Sequence, residues 1–156
     1  MAVGITVETP LQDDVRALVA ALNAYLIPLT PREYQFQLTV EQMAEPSVTL
    51  FVAREQSGRA VGMGALKDHG TGQGEVKRMF TLPEVRGQRV GSLLLQRIEA
   101  LAREKGIGRL VLETGEAPGF EPAYRVYERG GFEKCGAVLD YPDSGHSRFY
   151  EKKLSR

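Results

Sequence analysis

Arg86-Gly87-Gln88-Arg89-Val90-Gly91-Ser92 joins a stretch that reads as a strand, residues 75–81, to a strongly periodic helical one. A turn that opens a helix presents unpaired backbone N–H groups and the positive end of the helix dipole. An anion placed there collects several hydrogen bonds together. Gly87 and Gly91 permit unusual backbone angles and close ligand approach, and Arg86 and Arg89 add positive charge. Residues 86–92 therefore suit a phosphate or pyrophosphate; an ordinary strand-to-helix turn with solvated arginines fits the same spacing. The segment is not a P-loop, because no Gly-Lys-Ser/Thr closes it, nor is it GxGxxG. Other reactive side chains offer less. Cys135 falls in an apolar strand with no histidine in a matching motif, so it reads as a small packing residue. His69 and His146 lie in separate loops without metal-ligand spacing, and no metal is expected.

The elements that would hold this turn follow from periodicity. Residues 5–8 alternate as a strand. Thr9-Pro10-Leu11-Gln12 reads as a capping box, with Thr9 at the N-cap, and Val15, Leu18, Val19, Leu22 and Leu26 follow at helical spacing until Pro28. Thr30-Pro31-Arg32-Glu33 repeats the start signal and predicts a short helix over 31–38, with a further turn at 40–44. Residues 48–54 and 60–66 form a hairpin across Gln56-Ser57-Gly58, and Gly62 and Gly64 mark close approach of another chain or ligand. A loop over 68–74 precedes a strand at 75–81. The helix at 90–105 is stopped by Gly106. A strand at 109–114, a helix at 122–129 stopped by Gly130-Gly131, and strands at 132–139 and 149–153 complete the chain. The order is mixed α/β, with crossover helices that allow parallel neighbours in the middle.

Composition narrows the class. The 156 residues suit one domain spanning 1–156, and 42% hydrophobic residues suffice for an ordinary core. Lys+Arg and Asp+Glu both number 20, so no global field draws the chain to nucleic acid or an anionic membrane. The single cysteine fits a reducing cytoplasm. No apolar run reaches the ~20 residues of a membrane span, and the first residues lack the pattern of a secretory signal. A soluble, cytoplasmic protein is expected.

Arg86-x-x-Arg89-x-Gly91 resembles the Q/R-x-x-G-x-G/A motif with which GNAT acetyltransferases hold the pyrophosphate of an acyl-coenzyme A. Ala123-Tyr124-Arg125-Val126-Tyr127-Glu128-Arg129-Gly130-Gly131-Phe132 resembles the family's A-x-x-x-Y-x-x-x-G-F segment. The strand before Pro83 fits the same order, and the likeness runs from about Val48 to Leu154, with the first helices in the family's variable substrate-side region. The segments GEVKRMF, LETG and FYEKKL are similar to those of small bacterial-type N-acetyltransferases. Two positions depart: Arg89 replaces the first motif glycine, and Phe120 stands where an Asn often contacts the cofactor.

The resemblance implies a mostly antiparallel sheet of six to seven strands, split between strands 4 and 5 and flanked by about four helices. It implies transfer of an acetyl group from acetyl-CoA to a primary amine of a small molecule or peptide, without metal, and a possible homodimer. Met79, Phe80 and Thr81 match the family's backbone contacts to pantetheine, with the Met79 N–H facing the thioester oxygen. Arg86, Gly87, Gln88, Arg89, Val90, Gly91 and Ser92 match the pyrophosphate cradle. Tyr127 matches the acid that protonates the departing thiolate, and Tyr124, one turn earlier, does not. The amine, with a pKa of about 10, must lose a proton, and Glu75 is the candidate base. By alternation it shares a face with Lys77, Met79 and Thr81; a strand-end carboxylate paired with Lys77 is the plainer reading. Tyr25, Tyr34 and Phe36 read first as packing residues and secondarily as lining of an acceptor pocket. A non-catalytic acyl-CoA sensor would need the cradle but neither Tyr127 nor Glu75; a nucleotide-binding protein is disfavoured by the missing Lys-Ser/Thr.

Overall fold

Seven strands form one sheet in the computed structural model, which describes residues 3–154 apart from 32, 34 and 37. They are β1 (Val3–Val7), β2 (Val48–Glu55), β3 (Ala60–Asp68), β4 (Gln73–Thr81), β5 (Arg109–Gly115), β6 (Glu133–Cys135) and β7 (Ser147–Lys153). Their spatial order is β1-β2-β3-β4-β5-β7-β6. Every neighbouring pair is antiparallel except β4 and β5. Those two pair only through Gln73–Arg109, Gly74–Leu110 and Glu75–Val111. From Val76 and Leu112 onward the strands part, and the sheet is split as expected.

Four α-helices cover the two faces: α1 (Asp13–Leu26), α2 (Val40–Met43), α3 (Val90–Glu104) and α4 (Glu121–Arg129). Val15, Leu18, Val19 and Leu22 of α1 pack with Met43, Leu50, Met63 and Phe80 on one face. Val90, Leu94, Ile98 and Ala102, each four residues apart on α3, pack with Tyr124 and Tyr127 of α4 on the other. Burying each large apolar side chain contributes roughly 1.5–3 kcal/mol, and these stripes fix both helices on the sheet. Gly106 ends α3 in the left-handed region, with its N–H bonded to Arg103 and that of Ile107 to Ala102.

Several expectations change in detail. Helix α1 begins at Asp13 with Gln12 as an N-cap that makes no side-chain cap bond. Thr9 instead accepts from Leu11 N–H, and Arg54 clamps Glu8, Gln12 and Asp14, so tertiary contacts override the local start signal. The capping box appears at α2, where Thr39 accepts from Gln42 N–H and Gln42 accepts from Thr39 N–H. The helix expected at 31–38 falls partly outside the described residues; Gln35 and Phe36 lie in irregular backbone. The strand expected at 132–139 shrinks to β6, because the chain turns at Gly136 and Leu139 adopts a positive φ.

Candidate active site

Strict alternation fails inside β4. Between the pairs Met63–Phe80 and Ala65–Lys77, β3 supplies Gly64 alone while β4 supplies Arg78 and Met79. This extra residue is a bulge, and Arg78 takes it up at φ 56°. Val76 and Met79 accordingly pack toward α3, whereas Phe80 packs toward α1. Glu75 and Lys77 therefore do not share a face with Met79, contrary to the expectation from alternation. A Cβ on Gly64 would stand 2.4 Å from the Met79 sulfur and 3.1 Å from Ile98 Cδ1. The close approach marked by this glycine is that of the chain's own Met79.

Where β4 and β5 part, a cleft of about 710 Å³ opens. Met79, Phe80, Thr81, Arg86, Gly87, Arg89, Val90, Gly91 and Ser92 all line it; Gln88 does not and is exposed. The first turn of the 15-residue helix α3 points its backbone N–H groups there, with no side-chain cap from Arg89. Gly87 has φ 88°, so its turn requires glycine or strain. Gly91 is different: it is helical, and its missing side chain leaves room against Val126, 3.5 Å from a built Cβ. A second left-handed position is the N-cap itself, Arg89, at φ 63° and ψ 21°. Arg86, Arg89, Arg125 and Arg129 give this half of the cleft a strongly basic lining.

Tyr127 and Tyr124 separate cleanly. Gly131 ends α4 at φ 90°, its N–H bonded to Glu128, while Phe132 N–H bonds to the Tyr127 carbonyl. This stop, with the Phe132 ring 6.1 Å from the Tyr127 ring, fixes the turn that carries Tyr127. Tyr127 is buried and lines the cleft, and among the described residues its hydroxyl has no hydrogen-bond partner. Burial, then the nearby Glu113 and Tyr150, push its phenol well above the ordinary value, so it stays protonated. The Tyr124 hydroxyl is occupied: it donates to the Gly115 carbonyl and accepts from Ala117 N–H at 3.3 Å. The Arg148 guanidinium sits 3.8 Å above its ring. Phe120, at the departing Asn position, lines the cleft and packs on Gly115.

Glu75 is 3% exposed and is not part of the cleft lining. One carboxylate oxygen meets His69 Nε2 at 2.9 Å; the other accepts from Lys77 Nζ at 3.1 Å and Tyr141 hydroxyl at 2.5 Å. Lys77 Nζ also donates to the Tyr141 hydroxyl at 2.6 Å, so three side chains form a closed network behind the cleft wall. The carboxylate that does line the cleft is Glu113 on β5, which accepts from Ser147 Oγ at 2.6 Å. Burial pushes its pKa up, against the pull of Ser147 and Lys77. Nothing marks Glu113 along the chain beyond its place in the LETG segment. Tyr25 and Phe36 line the cleft at the α1 end, with Tyr25 donating to the Gly119 carbonyl at 2.5 Å; Tyr34 lies outside the described residues. Arg78 lines the same end, 7% exposed, donating to Asn23 Oδ1 of α1.

Comparison with known proteins places these features in context. Residues 15–132 match the Acetyltransferase (GNAT) family. The IAA acetyltransferase of Azospirillum brasilense is 42% identical over 153 residues, covering 97% of this chain and 98% of that protein. A Klebsiella pneumoniae structure assigned as an acyl-CoA N-acyltransferase superposes with a TM-score of 0.81 at 34% identity, covering 98% of both chains. An aminoglycoside 6'-N-acetyltransferase, solved with coenzyme A, shares the fold at TM-score 0.74 and 17% identity, over 98% of both chains.

Proposed function

Because the chain belongs to the GNAT acetyltransferase family, and so transfers an acyl group from an acyl-CoA to an acceptor, we propose that it moves an acetyl group from acetyl-CoA to a primary amine by direct attack on the thioester. The observation that carries this reading is the unpartnered Tyr127 hydroxyl on the wall of a cleft that also holds the α3 N-terminus. A sensor would need the second feature but not the first.

In this reading, the α3 N-terminus and Arg86, Gly87, Arg89, Val90, Gly91 and Ser92 hold the pyrophosphate, with Gln88 contributing shape alone. The backbone of Met79, Phe80 and Thr81 holds pantetheine, and Met79 N–H polarises the thioester carbonyl. Glu113 takes the amine's proton; its raised pKa brings it nearer the amine's and makes it a better base than an ordinary carboxylate. Glu75 acts behind it, holding Lys77 and Tyr141 in place. The new C–N bond forms as the C–S bond breaks, and Tyr127 hands its proton to the thiolate. Burial raises the proton affinity of that thiolate as well as of the phenol, which keeps the transfer feasible. Residues 1–156 act as one domain in the cytoplasm, as a monomer or homodimer. Among the described residues, no helix is long and apolar enough to cross a membrane.

The test is a panel of primary amines mixed with acetyl-CoA, read as free-thiol release. Thiol release that depends on the amine supports the reading. Tight acetyl-CoA binding without thiol release from any amine refutes it and leaves a sensor.

A further inference from the structure

Building on the N-acetyltransferase reading, we propose that the acceptor amine also carries a carboxylate, and that Arg78 is the group that binds it.

Arg78 is the one buried arginine among the described residues. Arg54, Arg59, Arg109 and Arg148 each meet a carboxylate within 3 Å. Those four are more exposed than Arg78 and need a partner less. Arg78 meets none: its hydrogen bond goes to the neutral Asn23 side chain, and its buried Nε has no partner among the described residues. Burial draws its pKa down to about 10, which still leaves it a cation at neutral pH. A desolvated charge without a counter-charge is costly, and arginine's planar fork matches a carboxylate in shape. The missing anion is therefore what a ligand would supply.

Position decides which ligand. The cofactor half of the cleft has its own cations, Arg86 and Arg89, at the α3 N-terminus. Arg78 lines the cleft where β4 meets α1 through Asn23, with Leu22 and Phe36 also in the lining; Tyr25 is where the two halves meet, since the Arg86 guanidinium sits 5.6 Å over its ring. The neighbouring cation, Lys77, is already neutralised by Glu75. Among the described residues, Glu113 is the one carboxylate in the lining. An acceptor with an ammonium at one end and a carboxylate at the other, such as an amino acid with an apolar side chain, matches this arrangement of Glu113, Arg78 and the aromatic wall.

The experiment compares the common L-amino acids with their carboxamides as acceptors at saturating acetyl-CoA, in wild type and in Arg78→Gln and Arg78→Lys. Wild type should prefer acid over amide by roughly 10- to 100-fold in kcat/KM, chiefly through KM. That ratio should collapse toward one in Arg78→Gln and recover in part in Arg78→Lys. A wild-type enzyme that accepts amides as readily as acids overturns the proposal, and this arm needs no variant to fold. So does an unchanged ratio in Arg78→Gln, which would make Arg78 a tether between β4 and α1. If neither class releases thiol, the N-acetyltransferase reading fails; thermal stabilisation of wild type by the acids and not by the amides then still decides whether this site takes a carboxylate.

Discussion

Replacing Arg89 by glycine should make the protein more stable and its cofactor site weaker. Arg89 occupies the N-cap of α3 in the left-handed region, at φ 63°. For a residue with a Cβ this conformation costs roughly 1–2 kcal/mol. Glycine removes that cost but gives back about 0.4–1 kcal/mol through a freer unfolded chain. The net gain is about 1 kcal/mol, or a rise of roughly 2–4 °C in Tm for a chain of this size. Nothing in the fold offsets it, since among the described residues the exposed Arg89 side chain makes no hydrogen bond or ion pair. Its charge does line the cleft, so acetyl-CoA affinity should fall, and the deficit should shrink at high salt. Thermal unfolding and calorimetric titration at two salt concentrations measure both effects. Arg89→Ala is the control: it removes the charge but keeps the strain, so it should weaken binding without raising Tm. A lower Tm in Arg89→Gly, or equal Tm values in the two variants, would refute the strain at this position.

Gly91→Glu should fold normally, because a Cβ there meets only Val126 at 3.5 Å, yet calorimetry should find acetyl-CoA binding reduced at least tenfold by the added carboxylate. Gly115→Ala should cost roughly 1–3 kcal/mol in a denaturant titration, since its Cβ would stand 2.2 Å from the Phe120 ring. Glu113 binds its proton more strongly in the native protein than in the unfolded chain, so it withdraws stability as pH rises from about 4.5 through its raised pKa. Wild type should therefore lose Tm relative to Glu113→Gln between pH 4 and pH 8, and a difference independent of pH would contradict the assignment.

The order of elements along the chain was legible because most strands and helices carry their own local signal, whereas the split between strands 4 and 5 followed from the family resemblance alone. The stripe Val90, Leu94, Ile98 and Ala102 repeats every four residues, and Gly106 and Gly131 sit at left-handed helix stops. Tyr127 stood out only through the resemblance of residues 123–132 to the family's segment; the glycine and phenylalanine after it form the stop that fixes its turn. Long-range features were not legible. The bulge at Arg78 depends on how β3 lies against β4, and one extra residue moved Met79 to the opposite face from Glu75 and Lys77. Arg54 erased a well-formed capping signal at Thr9 through contacts some forty residues away. The partners of Glu75 include Tyr141, from a loop 66 residues later, and Glu113 gains its character from burial in the split. Charge in a site depends on which chains meet there, and spacing along one strand does not report it.

The reading of the cleft as a catalytic site rests on Tyr127, and Tyr127→Phe tests it most directly. The phenyl ring keeps its packing against Phe132 and Tyr150, so acetyl-CoA affinity should stay within about tenfold of wild type. A general acid contributes roughly 10²–10⁴-fold, so thiol release at saturating acceptor should fall by about 10²-fold or more. Turnover near the wild-type rate in a folded, cofactor-binding Tyr127→Phe protein would contradict the account.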